Sequence, residues 1–142
     1  MPICKLGEES NVQSDKPKKV LIIDDDLALC EALKLILEPK EFTVASASNG
    51  QDGIQLCREW QPDIVVLDLL MPGMDGWDVA ARIRSFSEVP IIVLSAVSKP
   101  ELIAKALDQG IDEYLIKPVP GSVLAAHLKR LTRRSHTPAP NP

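Results

Sequence analysis

The stretch Val20-Leu-Ile-Ile-Asp-Asp-Asp26 decides the fold: four apolar residues run without alternation and stop against three consecutive carboxylates. A strand with one wet face alternates polar and apolar side chains, whereas a strand covered on both faces does not, and strands of that second kind belong to parallel sheets. Three more such runs follow, Ile64–Leu67, Ile91–Leu94 and Tyr114–Ile116, each bounded by Pro, Gly, Asp or Ser, and a weaker one spans Thr43–Ser46. Between the runs the apolar residues fall at helical spacing: Leu29, Leu33, Ile36 and Leu37; Ile54, Cys57 and Trp60; Val79, Ile83 and Phe86; Ile103, Ala106 and Leu107; and finally Leu124, Leu128 and Leu131. Strand and helix alternate five times at roughly 23 residues per unit, which predicts an α/β fold, a doubly wound five-stranded parallel sheet with right-handed crossovers.

The punctuation agrees with these bounds. Pro39 cannot continue the first helix, and Pro62, Pro90 and Pro118 stand at strand edges, where a missing amide hydrogen does least harm. Asn49-Gly50 reads as a turn and Gln109-Gly110 as a helix C-cap.

A chain of 142 residues with 45% apolar and 25% charged residues has the composition of one packed domain rather than of a disordered or membrane-spanning protein. Sixteen basic against twenty acidic residues leave a net charge of -4, so the chain lacks the basic footprint of a nucleic-acid binder, and no direct nucleic-acid contact is expected from this domain. Lys129, Arg130, Arg133 and Arg134 close the last helix, where cations suit the negative end of its dipole. Cys4, Cys30 and Cys57 form no CxxC pair, and His127 and His136 stand alone, so zinc and disulfide chemistry are not expected. Trp60 and Trp77 read as packing residues. No signal-peptide h-region or long apolar span is visible, and a cytoplasmic protein without membrane contact is expected.

The ends differ from the middle. Residues 1–18 are polar and are expected to form a disordered tail, 19–134 the folded domain, and 135–142, with Pro138, Pro140 and Pro142, a Pro-rich tail or the start of a linker.

In an open parallel sheet, ligands bind beyond the carboxyl ends of the strands. Those ends carry Asp24, Asp25 and Asp26 on the first strand, Asp68 on the third, Ser95 on the fourth, and Lys117 on the fifth. Carboxylates that converge repel one another unless their pKa values rise or a hard cation sits between them; Mg²⁺ fits an all-oxygen donor set. A lysine and a hydroxyl beside them suit an anion, and the combination describes phosphoryl transfer with Asp68 as nucleophile. A lone Asp at a strand end is usually a turn former, and it is the joint placement that carries the reading. Asp26 reads as a helix N-terminal residue, and Asp75 with Gly76 as the cap of the third helix.

Four motifs, Val20-Leu-Ile-Ile-Asp-Asp-Asp26, Ile64-Val-Val-Leu-Asp-Leu-Leu-Met-Pro-Gly-Met-Asp-Gly76, Val89-Pro-Ile-Ile-Val-Leu-Ser-Ala96 and Asp112-Glu-Tyr-Leu-Ile-Lys-Pro118, together resemble the receiver domain of two-component response regulators, the CheY-like family. The resemblance covers about residues 19–134, and it is the ordered set of motifs that makes it specific. It implies a flavodoxin-like (βα)5 fold and a signalling domain rather than an enzyme, which takes a phosphoryl group from a cognate sensor histidine kinase in a Mg²⁺-dependent reaction. Carried over by motif, Asp24 and Asp25 match the acidic pair that holds the metal, Asp68 the phosphoacceptor and further ligand, and Leu70 the position offering a backbone carbonyl to it. Ser95 matches the switch hydroxyl, Lys117 the family's lysine and Tyr114 the aromatic switch, and the Lys117-Pro118 bond is implied to be cis. The surface that changes would be that of the fourth helix, fifth strand and fifth helix, which also serves relatives as a homodimer face.

Three departures stand out. Val123-Leu124 and His127 occupy positions where relatives with a winged-helix output carry Glu-Leu and Arg, which puts the ion-paired form of that dimer face in doubt. Val119 stands where Phe commonly follows Lys-Pro, and Ile111 where Ala commonly follows Gly. The leading expectation is the N-terminal receiver of a transcriptional regulator with a DNA-binding output domain beyond residue 142; the alternative is a stand-alone receiver acting by docking or phosphorelay. An aspartate-nucleophile phosphatase fits less well, because position 70 is Leu rather than an acid, and a flavodoxin-like electron carrier less well, because the first loop has three Asp in place of a phosphate-binding Ser/Thr/Gly run.

Overall fold

The computed structural model describes residues 16–136, with side chains described through Arg133. Cys4, most of the polar N-terminal stretch and Thr137–Pro142 lie outside the described residues. In chain order the elements are β1 (Lys18–Ile23), α1 (Leu27–Leu37), a 3-10 turn (Glu38–Lys40), β2 (Phe42–Ala47), α2 (Gly50–Trp60), β3 (Ile64–Leu67), α3 (Gly76–Arg84), β4 (Ile91–Ser95), α4 (Pro100–Asp108), β5 (Glu113–Ile116) and α5 (Gly121–His136). The five strands form one parallel sheet in the order β2-β1-β3-β4-β5.

The unbroken apolar runs are buried on both faces. Val20, Ile22, Ile64, Val66, Ile92 and Leu94 point to one side, where α1 and α5 cover them with Leu33, Leu37, Leu124 and Leu128. Their neighbours Leu21, Ile23, Val65, Leu67, Ile91 and Val93 point to the other, under Ile54 and Cys57 of α2, Val79 and Ile83 of α3, and Ala106 of α4. Both described cysteines are free and buried, as small hydrophobes in these layers.

Three local expectations need correction. Lys18 and Lys19, polar residues by composition, open β1: Lys18 pairs with Phe42, and the Lys19 ammonium finds the Trp60 carbonyl at 2.7 Å while lying 5.4 Å over its ring. Asn49-Gly50 is a helix start rather than a free turn, since the Asn49 side chain accepts from the Asp52 amide at 2.8 Å and Gly50 is the first residue of α2. The helix of α5 runs through Ser135 and His136, beyond the expected boundary at 134.

Candidate functional site

β1 and β3 are neighbours in the sheet, and the chain leaves them to opposite sides, β1 toward α1 and β3 toward α3. That divergence opens the crevice in which folds of this strand order bind ligands. Asp24 follows β1 and Asp68 follows β3, and the Asp68 amide donates to the Ile23 carbonyl at 3.0 Å, which holds the two ends level. Asp24, Asp25 and Asp68 each place a carboxylate oxygen within 4.8 Å of the others. Asp24 and Asp68 are buried, at 3% and 6% exposure, while Asp25 faces solvent.

Lys117 reaches into the same point from the end of β5. Its ammonium donates to Asp24 Oδ2 at 2.9 Å and lies 3.6 Å from Asp68 Oδ2. The remaining acceptors are used locally: Asp24 Oδ1 accepts from the Asp26 amide at 2.9 Å, and Asp68 Oδ1 from the Leu70 amide at 3.2 Å. Burial holds the Asp24 carboxyl above its ordinary range, and the Asp68 charge adds to that, against the opposing pull of the Asp26 amide and Lys117. Lys117 is desolvated, yet the two carboxylates hold its pKa above the ordinary value.

Asp26 takes no part in the cluster. It is the N-cap of α1, accepting from the Leu29 amide at 3.1 Å. Asp75 likewise caps α3, accepting from Asp78 at 3.0 Å. Gly76 explains the tight approach of that helix: a Cβ there would lie 2.5 Å from the Asp68 carbonyl oxygen and from Leu69 Cα. Leu70 exposes its side chain at the rim, 59% open.

Ser95 is the fully buried last residue of β4, and its carbonyl accepts from the Lys117 amide at 2.8 Å. Its hydroxyl accepts from the Val97 amide at 3.3 Å. The Tyr114 ring packs on the α2–α4 side of the sheet and its hydroxyl donates to the Val97 carbonyl at 2.7 Å. Burial pushes the Tyr114 phenol up, with Ser95 opposing and the Asp68 charge adding to the rise. Val97 thus joins Ser95 to Tyr114 through its backbone, a role for which an apolar side chain carries no signal in sequence. The Lys117-Pro118 peptide is cis.

On the α5 side of β5, Glu113 accepts from Arg130 Nη2 at 2.8 Å with both oxygens and stands 2.9 Å from His127 Nδ1. His127, which sequence spacing ties to no other residue, therefore faces Glu113 beside Arg130 within this chain.

The donor set is all oxygen, and one ammonium against three carboxylates leaves two negative charges in excess. Such a cluster is suited to a hard divalent cation. The five-stranded parallel α/β domain thus carries an acidic trio and a lysine at its topological switch point. Residues 20–129 match the family described as the response regulator receiver domain, and the chain belongs to that family. It is 43% identical over 115 residues to the transcriptional regulatory protein AfsQ1 of Streptomyces coelicolor, covering 81% of this chain and 51% of that protein. It is 37% identical over 123 residues to the DNA-binding response regulator MtrA of Mycobacterium tuberculosis, covering 86% and 54%. The chain spans about half the length of these curated relatives. Among solved structures, a two-component response regulator from Clostridium difficile superposes with a TM-score of 0.81 at 32% identity, over 84% of this chain and 99% of that one. The chain is therefore a receiver domain of the two-component type, a signalling domain. Among the described residues no helix is long and apolar enough to cross a membrane.

Proposed function

We propose that this receiver accepts a phosphoryl group on Asp68 from a sensor histidine kinase, with Mg²⁺ held by Asp24, Asp25, Asp68 and the Leu70 carbonyl, and that it forms the N-terminal part of a transcriptional regulator. The observation that carries the reading is the meeting of three carboxylates with Lys117 at the β1/β3 crevice. A bound Mg²⁺ supplies neutralising charge that Lys117 alone does not match.

A carboxylate oxygen of Asp68 attacks phosphorus of the phosphohistidine; the P–O bond forms, the P–N bond breaks, and the imidazole nitrogen keeps the electron pair and takes a proton. Asp68 exchanges one negative charge for about two, and Lys117, already within reach of its carboxylate, holds the added charge. Ser95 turns its hydroxyl from the Val97 amide toward the phosphoryl oxygens, Tyr114 follows, and the surface of α4, β5 and α5 changes. On that surface, which would be the face of a homodimer, Glu113 is already engaged by Arg130 and faces His127 within one chain, so an ion-paired seam there would not draw on it. The names of the half-matched relatives support a DNA-binding output domain.

The reading is tested by intact mass after incubation with Mg²⁺ and acetyl phosphate. The wild type is expected to gain one phosphoryl group, and Asp68→Asn none. A gain that persists in Asp68→Asn, or none in the wild type, overturns it.

A further inference from the structure

At the end of the sheet away from the acidic cluster, the last turn of α2 and the α3–β4 loop flank a cavity of about 200 Å³. Cys57, Arg58, Gln61, Pro62, Phe86 and Ser87 line it. These residues adjoin the amino ends of β3 and β4, whereas Asp68 follows the carboxyl end of β3. The volume falls below the roughly 300–1,000 Å³ of sites for drug-sized ligands but exceeds the roughly 150 Å³ that holds a benzene ring. One ring with a small substituent is the size that fits.

The lining has an apolar part and a cationic part. Pro62 is buried and Phe86 half-buried, the latter packed on the α2–α4 core, so a ring entering the cavity meets apolar walls. The Arg58 guanidinium lies 4.2 Å from the Phe86 ring centroid, and among the described residues no carboxylate stands within ion-pair distance of it. A guanidinium stacked on an aromatic ring keeps its N–H fork for a carboxylate, which it can bind through two parallel hydrogen bonds. Burial raises the Cys57 thiol above its ordinary range, against the pull of Arg84, the last residue of α3, and of Arg58. The inner wall is thus a neutral thiol under a positive potential, which does not repel an anion. The Arg84 N–H groups are taken by the Ser87, Val89 and Gly110 carbonyls and by Asp112, which leaves Arg58 as the guanidinium open to a ligand. Ser87 Oγ accepts from the Val89 amide at 3.0 Å and keeps its proton to donate. Gln61, the C-cap of α2 with φ +54, adds an exposed amide at the rim.

We propose that this cavity is a binding site for a small aromatic carboxylate, its ring between Phe86 and Pro62 and its carboxylate on Arg58. An inorganic anion would satisfy Arg58 but leave the apolar walls unfilled. A neutral ring would fill the walls but give the guanidinium no acceptor. An aromatic acid does both. The site shares no residue with the acidic cluster and lies at the other end of β3, so it stands without the phosphoryl reading of Asp68 and needs neither Mg²⁺ nor a phosphoryl group.

Titration of the isotope-labelled full chain with benzoate, followed through its amide NMR shifts, tests it. Saturable shifts are expected over 57–62 and 86–88, and benzyl alcohol and sulfate are each expected to bind about tenfold more weakly or worse. Arg58→Met, a change at an exposed side chain, is expected to weaken benzoate by about tenfold or more while the β1 and β3 amides keep their wild-type shifts. Arg58→Lys, which keeps the charge but not the fork, is expected to fall between the two. Asp68→Asn and added Mg²⁺ are expected to leave the affinity unchanged. The site is overturned by the absence of a saturable shift in the wild type, by benzyl alcohol or sulfate equalling benzoate, or by wild-type affinity in both Arg58 variants. A benzoate affinity that falls in Asp68→Asn overturns it as well, because the ligand would then sit at the acidic cluster.

Discussion

Asp24 is the residue on which the electrostatics of the site turn. Its folded carboxyl binds a proton more tightly than the unfolded value of 3.8, because it is buried beside Asp68. A raised acid contributes stability that is fully present below 3.8 and is lost as pH rises through the folded value. In the metal-free wild type Asp24 is therefore expected to contribute a fall in stability with rising pH across that window, and Asp24→Asn to lose that component of the slope. Urea unfolding at a series of pH values in EDTA checks this; an unchanged slope in the variant contradicts it. Asp24, Asp68, Ser95 and Lys117 were all legible in sequence, because each ends a recognisable strand and topology brings strand ends together. The partnerships of Val97 and His127 were not: one acts through its backbone, and the other meets Glu113 across a contact that no spacing rule encodes.

Elements set how closely the site can be drawn together. Asp26 adjoins the cluster in sequence but serves α1 as its cap, so Asp26→Ala is expected to cost about 1 kcal/mol of stability and to leave Mg²⁺ affinity essentially unchanged. Denaturation and Mg²⁺ titration of the same sample separate the two roles, and a large loss of affinity would place Asp26 among the ligands. Gly76→Ala drives a methyl group into the backbone of Asp68 and Leu69, an overpacking expected to cost about 1–3 kcal/mol and to slow phosphorylation; wild-type stability in that variant would show that α3 does not brace the acceptor loop. The inner strands were readable because both faces are buried and the runs are unbroken. β2 read weakly because it is an edge strand with an alternating burial pattern, and the start of β1 was hidden because the Lys19 ammonium is satisfied by the Trp60 carbonyl and ring, a contact only folding creates.

At the scale of the whole molecule, a site that holds two uncompensated negative charges in its folded form couples cation binding to folding. Mg²⁺ at ten times its dissociation constant is expected to raise the unfolding free energy by about 1.4 kcal/mol, since the unfolded chain has no assembled cluster. The Asp68→Asn variant, with one charge fewer, is expected to be more stable than the wild type in EDTA and to gain less from Mg²⁺. Thermal unfolding across a Mg²⁺ series checks both, and equal gains in the two proteins would detach the cation from this cluster. The layered sheet explains why the domain can carry such a site: two cores, one on each face, hold β1 and β3 in register independently of the charges at their ends.

On the proposed function Asp68, and no other carboxylate of the trio, becomes an acyl phosphate. Treating the acetyl phosphate product with borohydride reduces an aspartyl phosphate to homoserine, and peptide sequencing then locates it. Homoserine is expected at position 68 alone and only when Mg²⁺ is present; homoserine at position 24 or 25, or at 68 in equal yield in EDTA, would overturn the assignment of Asp68.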